Sequence, residues 1–314
     1  MTAYSSAVLY PPPIIPGDTL RIVAPSGPFD KTLFYRGLAW LRERYHVIWA
    51  RGMLERRGYL AGSDQRRLDE LNEALDDPKA RAIVAVRGGY GATRICHRAD
   101  FSALTRHPKW CVGFSDFTAI HLEALRAGVA SLHAPNLTLL GRGDATARQG
   151  WLDALEAPLA RRVFSGLEVL GPGRSSGTLV GGNLTLLFTA AASGQLELPC
   201  GAILLIEEVN EAPYRIDRML TALCCSGKLD GLGGVCVGDL AADGAPVMRR
   251  AALNAVLDCL RHLGVPIVAG LPVGHGRVNH PIPLGVPALL DGPRAALIIN
   301  PDAGELSACA NPGR

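Results

Sequence analysis

Short apolar runs that stop at small or polar residues, each followed by a stretch with helical spacing, limit what this chain can fold into. The pattern predicts strands over 20–24, 46–50, 82–86 and 110–114. Between them it predicts helices over 32–44, 63–75 and 116–127, with Leu33, Leu38 and Leu41 spaced for one face of the first. Ser63 stands where a helix N-cap is expected, with Leu68, Leu71 and Leu75 recurring behind it. Strands that alternate with helices need crossover connections, so the sheet is expected to be mainly parallel.

The alternation weakens after Pro135. Residues 141–176 carry Pro158, Gly171, Pro172 and Gly173 and are expected as a linker with one short helix near 149–159. The expected organisation is therefore a domain over 1–140, a linker over 141–176 and a second domain over 177–314. In the second domain, strands are expected over 202–206, 234–238 and 266–269, and helices over 214–225 and 247–263. Two apolar runs, 288–290 and 295–299, flank Asp291-Gly292, a hairpin signal.

Composition excludes several classes. The 314 residues are 48% hydrophobic and 19% charged, as suits a well-buried globular chain. A net charge of +3, with no basic cluster interleaved with aromatics, does not suggest nucleic acid. No run reaches the ~20 apolar residues of a membrane span. The proline-rich start, 1–16, lacks the basic and apolar regions of a secretory signal. The eight cysteines are scattered, without C-x-x-C or zinc spacing, and are expected as buried, reduced thiols. With no secretory signal expected, the sequons at Asn136 and Asn183 are read as chance matches.

Four places could carry chemistry. Ser115 lies in Val112-Gly113-Phe114-Ser115-Asp116-Phe117-Thr118, where an apolar run gives way to a helical stretch. It reads as a helix cap or as a nucleophile held at a sheet edge. Strict Gly-x-Ser-x-Gly is absent, because position 117 is Phe. Glu207 ends the run Ile203-Leu204-Leu205-Ile206, at the strand end where α/β folds place their sites. The alternative is a solvated acid paired with Arg215 or Arg218. His275, in Gly274-His275-Gly276, follows another strand, although a lone loop histidine is often incidental. Finally, Gly88-Gly89-Tyr90-Gly91 could bring backbone N–H groups to an anion or be a plain tight turn. It begins like a dinucleotide fingerprint, but Arg94 occupies the third glycine position.

Ser, Glu and His in this order make a workable set. His275 would take the Ser115 proton, and Glu207 would orient the imidazole and stabilise its cation. The amide of Asp116 and one from Gly88 or Gly89 could hold the oxyanion.

At these residues the chain resembles the LD-carboxypeptidase (muramoyl-tetrapeptide carboxypeptidase) family of serine peptidases. The resemblance runs from about Gly17 to Leu290. It rests on ordered blocks: Ile22-Val23-Ala24-Pro25-Ser26-Gly27, Arg87 to Gly91, Gly113 to Asp116, Gly177 to Leu184, Glu207 to Arg215 and Gly274-His275-Gly276. It implies a catalytic Ser115, Glu207 and His275, with oxyanion amides at Gly89 and Asp116. It implies a Rossmann-like N-terminal domain bearing the serine, and a C-terminal α/β domain with a barrel-like β core bearing the other two. It further implies a cytoplasmic enzyme, a homodimer, no cofactor and no metal. The substrate implied is a muropeptide, cleaved at the L,D-amide bond to a terminal D-alanine. Phe114, Glu208 and Ala134 depart from residues frequent in the family, which leaves substrate preference open. Two alternatives stand beside this one: a microcin-type self-immunity peptidase cleaving aminoacyl- or peptidyl-nucleotides, and a non-catalytic muropeptide-binding protein.

Overall fold

A computed structural model describes residues 8–240 and 246–310. The first seven residues of the proline-rich start lie outside that range. The chain divides into two compact units: one runs to Pro158 and includes His280–Pro283, and the other holds Leu159–Asn279 and the chain from Leu284.

The first unit is built on a six-stranded sheet. β1 (Thr19–Val23), β2 (His46–Ile48), β3 (Ala80–Ala85), β4 (Trp110–Gly113) and β5 (Ser131–His133) are ordered β5-β4-β3-β1-β2 and pair in parallel. The strand Ile282–Leu284 adds beyond β5. β4 and β5 are buried throughout, as the two covered faces of a parallel sheet require. Helix α1 (Lys31–Arg42) starts at Asp30, whose carboxylate accepts from the Leu33 amide at 2.9 Å. Helix α2 (Asp64–Asp76) starts at Ser63, whose hydroxyl accepts from the Arg66 amide at 3.2 Å. Both caps satisfy amides that the first helical turn leaves without partners.

The second unit carries a curled eight-stranded sheet, a half-barrel. Its central strands Arg174–Asn183, Ile203–Glu207, Gly234–Val237 and Ile267–Ala269 run parallel. Val286–Asp291 pairs antiparallel with Arg174–Asn183 and with Ala296–Ile299, which makes the hairpin expected around Asp291-Gly292. The architecture is thus the expected mixed α/β one, a parallel sheet in one unit and a curled sheet in the other.

Several local expectations change. Residues 141–176 hold helix Ala145–Glu156, strands Arg162–Phe164 and Glu168–Gly171, and the start of the long strand from Arg174. After Gly91 the chain makes a pair of 3₁₀ turns, Ala92–Arg94 and Cys96–Arg98. Of the seven described cysteines, only Cys96, Cys111 and Cys236 are buried, while Cys200 and Cys225 are exposed. Asn136 and Asn183 are buried caps of helices Leu137–Leu140 and Leu184–Ala192. Among the described residues, no helix is long and apolar enough to cross a membrane.

Candidate active site

Ser115 follows β4 in the first unit. It opens a 3₁₀ turn, Ser115–Phe117, that leads into helix Thr118–Arg126. Its backbone is left-handed, with φ 65°. An N-cap residue is normally extended, and here Phe114 holds that position without a side-chain cap bond. The capping reading of Ser115 therefore gives way. A non-glycine residue at positive φ carries strain, and such strain concentrates at functional sites.

The turn after β3 packs on this serine. A β-carbon at Gly88 would fall 2.9 Å from Ser115 Cβ and 3.1 Å from its Oγ. Only a residue without a side chain allows that approach. Gly89 and Gly91 follow with φ 109° and 135°. The turn is tied to its neighbour by a bond from the Gly27 amide to the Gly88 carbonyl, 3.2 Å. Beside the serine, the carboxylate of Asp116 is buried and accepts from the Ala92 amide at 2.8 Å. Burial pushes this carboxyl up, and the Ser26 hydroxyl, the Ala92 amide and Arg67 work in the other direction.

Glu207 and His275 come together in the second unit. His275 Nδ1 lies 2.7 Å from Glu207 Oε2. Glu207 is the last residue of its strand and fully buried, whereas the His275 side chain is 18% exposed. The histidine loop lies directly on the carboxylate. Gly274 has φ 122°, and a β-carbon there would fall 2.9 Å from Glu207 Oε2. The Gly274 amide donates to Asn279 Oδ1 at 3.0 Å, which holds the loop closed. Burial pulls the imidazole down. The bond to Glu207, with the charges of Glu207, Glu208 and Asp239, outweighs it and lifts His275 above its ordinary value. The bond also fixes which ring nitrogen faces the carboxylate.

The neighbouring Glu208 is also held in place. It is buried and accepts from Asn183 Nδ2 at 3.0 Å, Thr185 N at 2.8 Å, Thr185 Oγ1 at 2.7 Å and Val209 N at 2.8 Å. Arg215 pairs with Glu211, at 3.2 Å, and not with Glu207. A partially exposed imidazole hydrogen-bonded to a buried carboxylate is an arrangement that can serve as a general base with its orienting group.

The family model for the LD-carboxypeptidase N-terminal domain matches residues 20–134, and that for the C-terminal domain matches 176–290. The chain belongs to the LD-carboxypeptidase family. It is a serine-type carboxypeptidase, a hydrolase. A relative from Synechocystis sp. is 38% identical over 98% of this chain and 99% of its own. The murein tetrapeptide carboxypeptidase of Pseudomonas aeruginosa is 32% identical over 80% of this chain and 84% of its own. Among solved structures, the muramoyltetrapeptide carboxypeptidase of Oxalobacter formigenes superposes with a TM-score of 0.79 at 30% identity, covering 90% of this LD-carboxypeptidase and 99% of that one. The microcin C7 self-immunity protein superposes with a TM-score of 0.83 at 21% identity, over 94% and 99% of the two chains, a likeness of fold.

Proposed function

We propose that this LD-carboxypeptidase releases the terminal D-alanine of murein tetrapeptides through a Ser115–His275–Glu207 triad and an acyl-enzyme. The bond cleaved is the L,D-amide between meso-diaminopimelate, or L-lysine, and D-alanine. The product tripeptide is then available for cell-wall recycling, which places the enzyme in the cytoplasm; the homodimer implied by the family resemblance belongs to the same reading.

Acylation begins when Ser115 Oγ attacks the scissile carbonyl while His275 Nε2 takes its proton. The amides of Gly89 and Asp116 receive the oxyanion, a contribution worth about 3 kcal/mol per donor. The imidazolium then protonates the leaving D-alanine amine. Glu207 offsets the imidazolium charge throughout. A water, deprotonated by His275, frees the tripeptide and regenerates the serine.

The observation that carries this reading is the 2.7 Å contact between His275 Nδ1 and Glu207 Oε2. A contact of this kind orients a loop histidine and supports it as a base. The 32% identity to a murein tetrapeptide carboxypeptidase supports the substrate. The test is parallel turnover of a murein tetrapeptide and an acyl-sulfamoyl adenylate. D-alanine release at the higher kcat/KM supports the reading. Preferential cleavage of the adenylate overturns it in favour of a self-immunity peptidase.

A further inference from the structure

One fully buried cation of the first unit takes no part in the chemistry above. Arg67, on α2, has no exposed surface. Its Nη1 donates to the Pro25 carbonyl and, at 2.8 Å, to the Gly91 carbonyl. Its Nη2 donates to Asp64 Oδ1 at 2.5 Å. Pro25 lies in the turn after β1, and Gly91 in the turn after β3. These strands are neighbours in the sheet. One guanidinium therefore ties together two turns at the same sheet edge.

The Gly91–Ala92 peptide is held from both sides. Its carbonyl accepts from Arg67, and its N–H donates to Asp116 Oδ2 at 2.8 Å. A peptide group is rigid and planar, so fixing both of its polar atoms fixes its orientation. Gly89 and Gly91 both sit at positive φ, where glycine has wide freedom. Without outside ties such a turn is soft. The guanidinium also fills the space beside the turn, since a β-carbon at Gly91 would lie 2.6 Å from Arg67 Nη1.

We infer that Arg67 is a positioning residue that sets the Gly88–Gly91 turn against Ser115 and so aligns its oxyanion donors. The inference rests on the serine mechanism proposed above. A buried charge is costly, and an apolar side chain of similar size would often serve stability as well or better. The bidentate reach of guanidinium explains the choice, since lysine offers a point charge and no planar fork.

The test compares wild type with Arg67→Lys, Arg67→Met and Asp64→Asn in the full chain. Asp64 is partly exposed, so its variant keeps a folded protein available should both Arg67 variants fail to fold. The substrate-independent readout is the rate of Ser115 phosphonylation by a fluorophosphonate, whose phosphoryl oxygen occupies the oxyanion position. The second readout is kcat per titrated serine on murein tetrapeptide. Arg67→Met should lower both by about 10²-fold with KM nearly unchanged. Arg67→Lys should lie between it and wild type, and Asp64→Asn should lose about threefold, the smaller loss of a misaligned donor. A fall in melting temperature with phosphonylation rate and kcat per site unchanged would assign Arg67 a structural role only. A Ser115→Ala control that still turns over substrate would instead contradict the serine mechanism, a result separate from the fate of Arg67.

Discussion

Gly88 and Ser115 touch so closely that the space for a side chain on one is taken by the other. A β-carbon at Gly88 would lie 2.9 Å from Ser115 Cβ. The two residues come from turns after β3 and β4, adjacent strands of the parallel sheet. The contact brings a glycine-rich backbone to the hydroxyl of a strained serine.

Gly88→Ala is therefore expected to displace Ser115 or the turn beside it. A misplacement approaching 1 Å costs on the order of 10²-fold in rate. The variant should keep its circular dichroism spectrum and lose about 10²-fold in kcat. Wild-type turnover would contradict the close packing.

Strain at Ser115 predicts an order of stabilities. A left-handed residue with a β-carbon costs about 1 kcal/mol more than glycine in that conformation. Ser115→Gly should be more stable than Ser115→Ala by about that amount in urea unfolding. Equal midpoints would show that φ 65° carries no strain here.

The His275–Glu207 bond predicts a pH profile. His275 is held above its ordinary value, so the imidazole stays protonated to higher pH than a free one. A protonated imidazole cannot accept the serine proton. Log kcat/KM should therefore fall on the acid side, with a midpoint above the usual ~6.5. Glu207→Gln removes the main charge that raises it, so the midpoint should move down and kcat should drop by about 10⁴-fold. An unmoved midpoint in Glu207→Gln would contradict the assignment.

Lys109 predicts a purely structural effect. Its side chain is fully buried, and Nζ donates to the carbonyls of Ala74, Leu75 and Asp77 at 3.1, 2.6 and 2.6 Å. The first two are carbonyls that the last turn of α2 leaves without helical partners. Lys109→Met should cost about 3 kcal/mol of stability through buried acceptors left unsatisfied. The kcat of the folded fraction should not change.

Much of the first unit was legible because buried parallel strands read as continuous apolar runs. Ala82 to Val86 and Trp110 to Phe114 needed no other signal, and Ser63 announced α2 by its capping chemistry. The long strand Arg174–Asn183 was not read, because Gly177, Gly181 and Gly182 depress strand propensity. They are glycines for a reason of packing: a β-carbon at Gly177 or Gly181 would fall about 2 Å from the carbonyl of Gly201 or Leu205. The strands at 162–164 and 168–171 are short and half-exposed, and so lack a period. At the site, Ser115, Glu207 and His275 stood out by residue type and by their places after apolar runs. The buried Asp116 carboxylate and Arg67 did not. In sequence they are ordinary polar helix residues, and only the turns packed against them show what they hold.

The proposed mechanism requires above all that the substrate acylate Ser115. The direct measurement is rapid acid quench of enzyme with murein tetrapeptide, followed by mass spectrometry of the peptide containing Ser115. A tripeptidyl adduct on Ser115, with D-alanine released and both lost in Ser115→Ala, is the predicted result. D-alanine release by Ser115→Ala at the wild-type rate, with no adduct on the wild-type peptide, would contradict it.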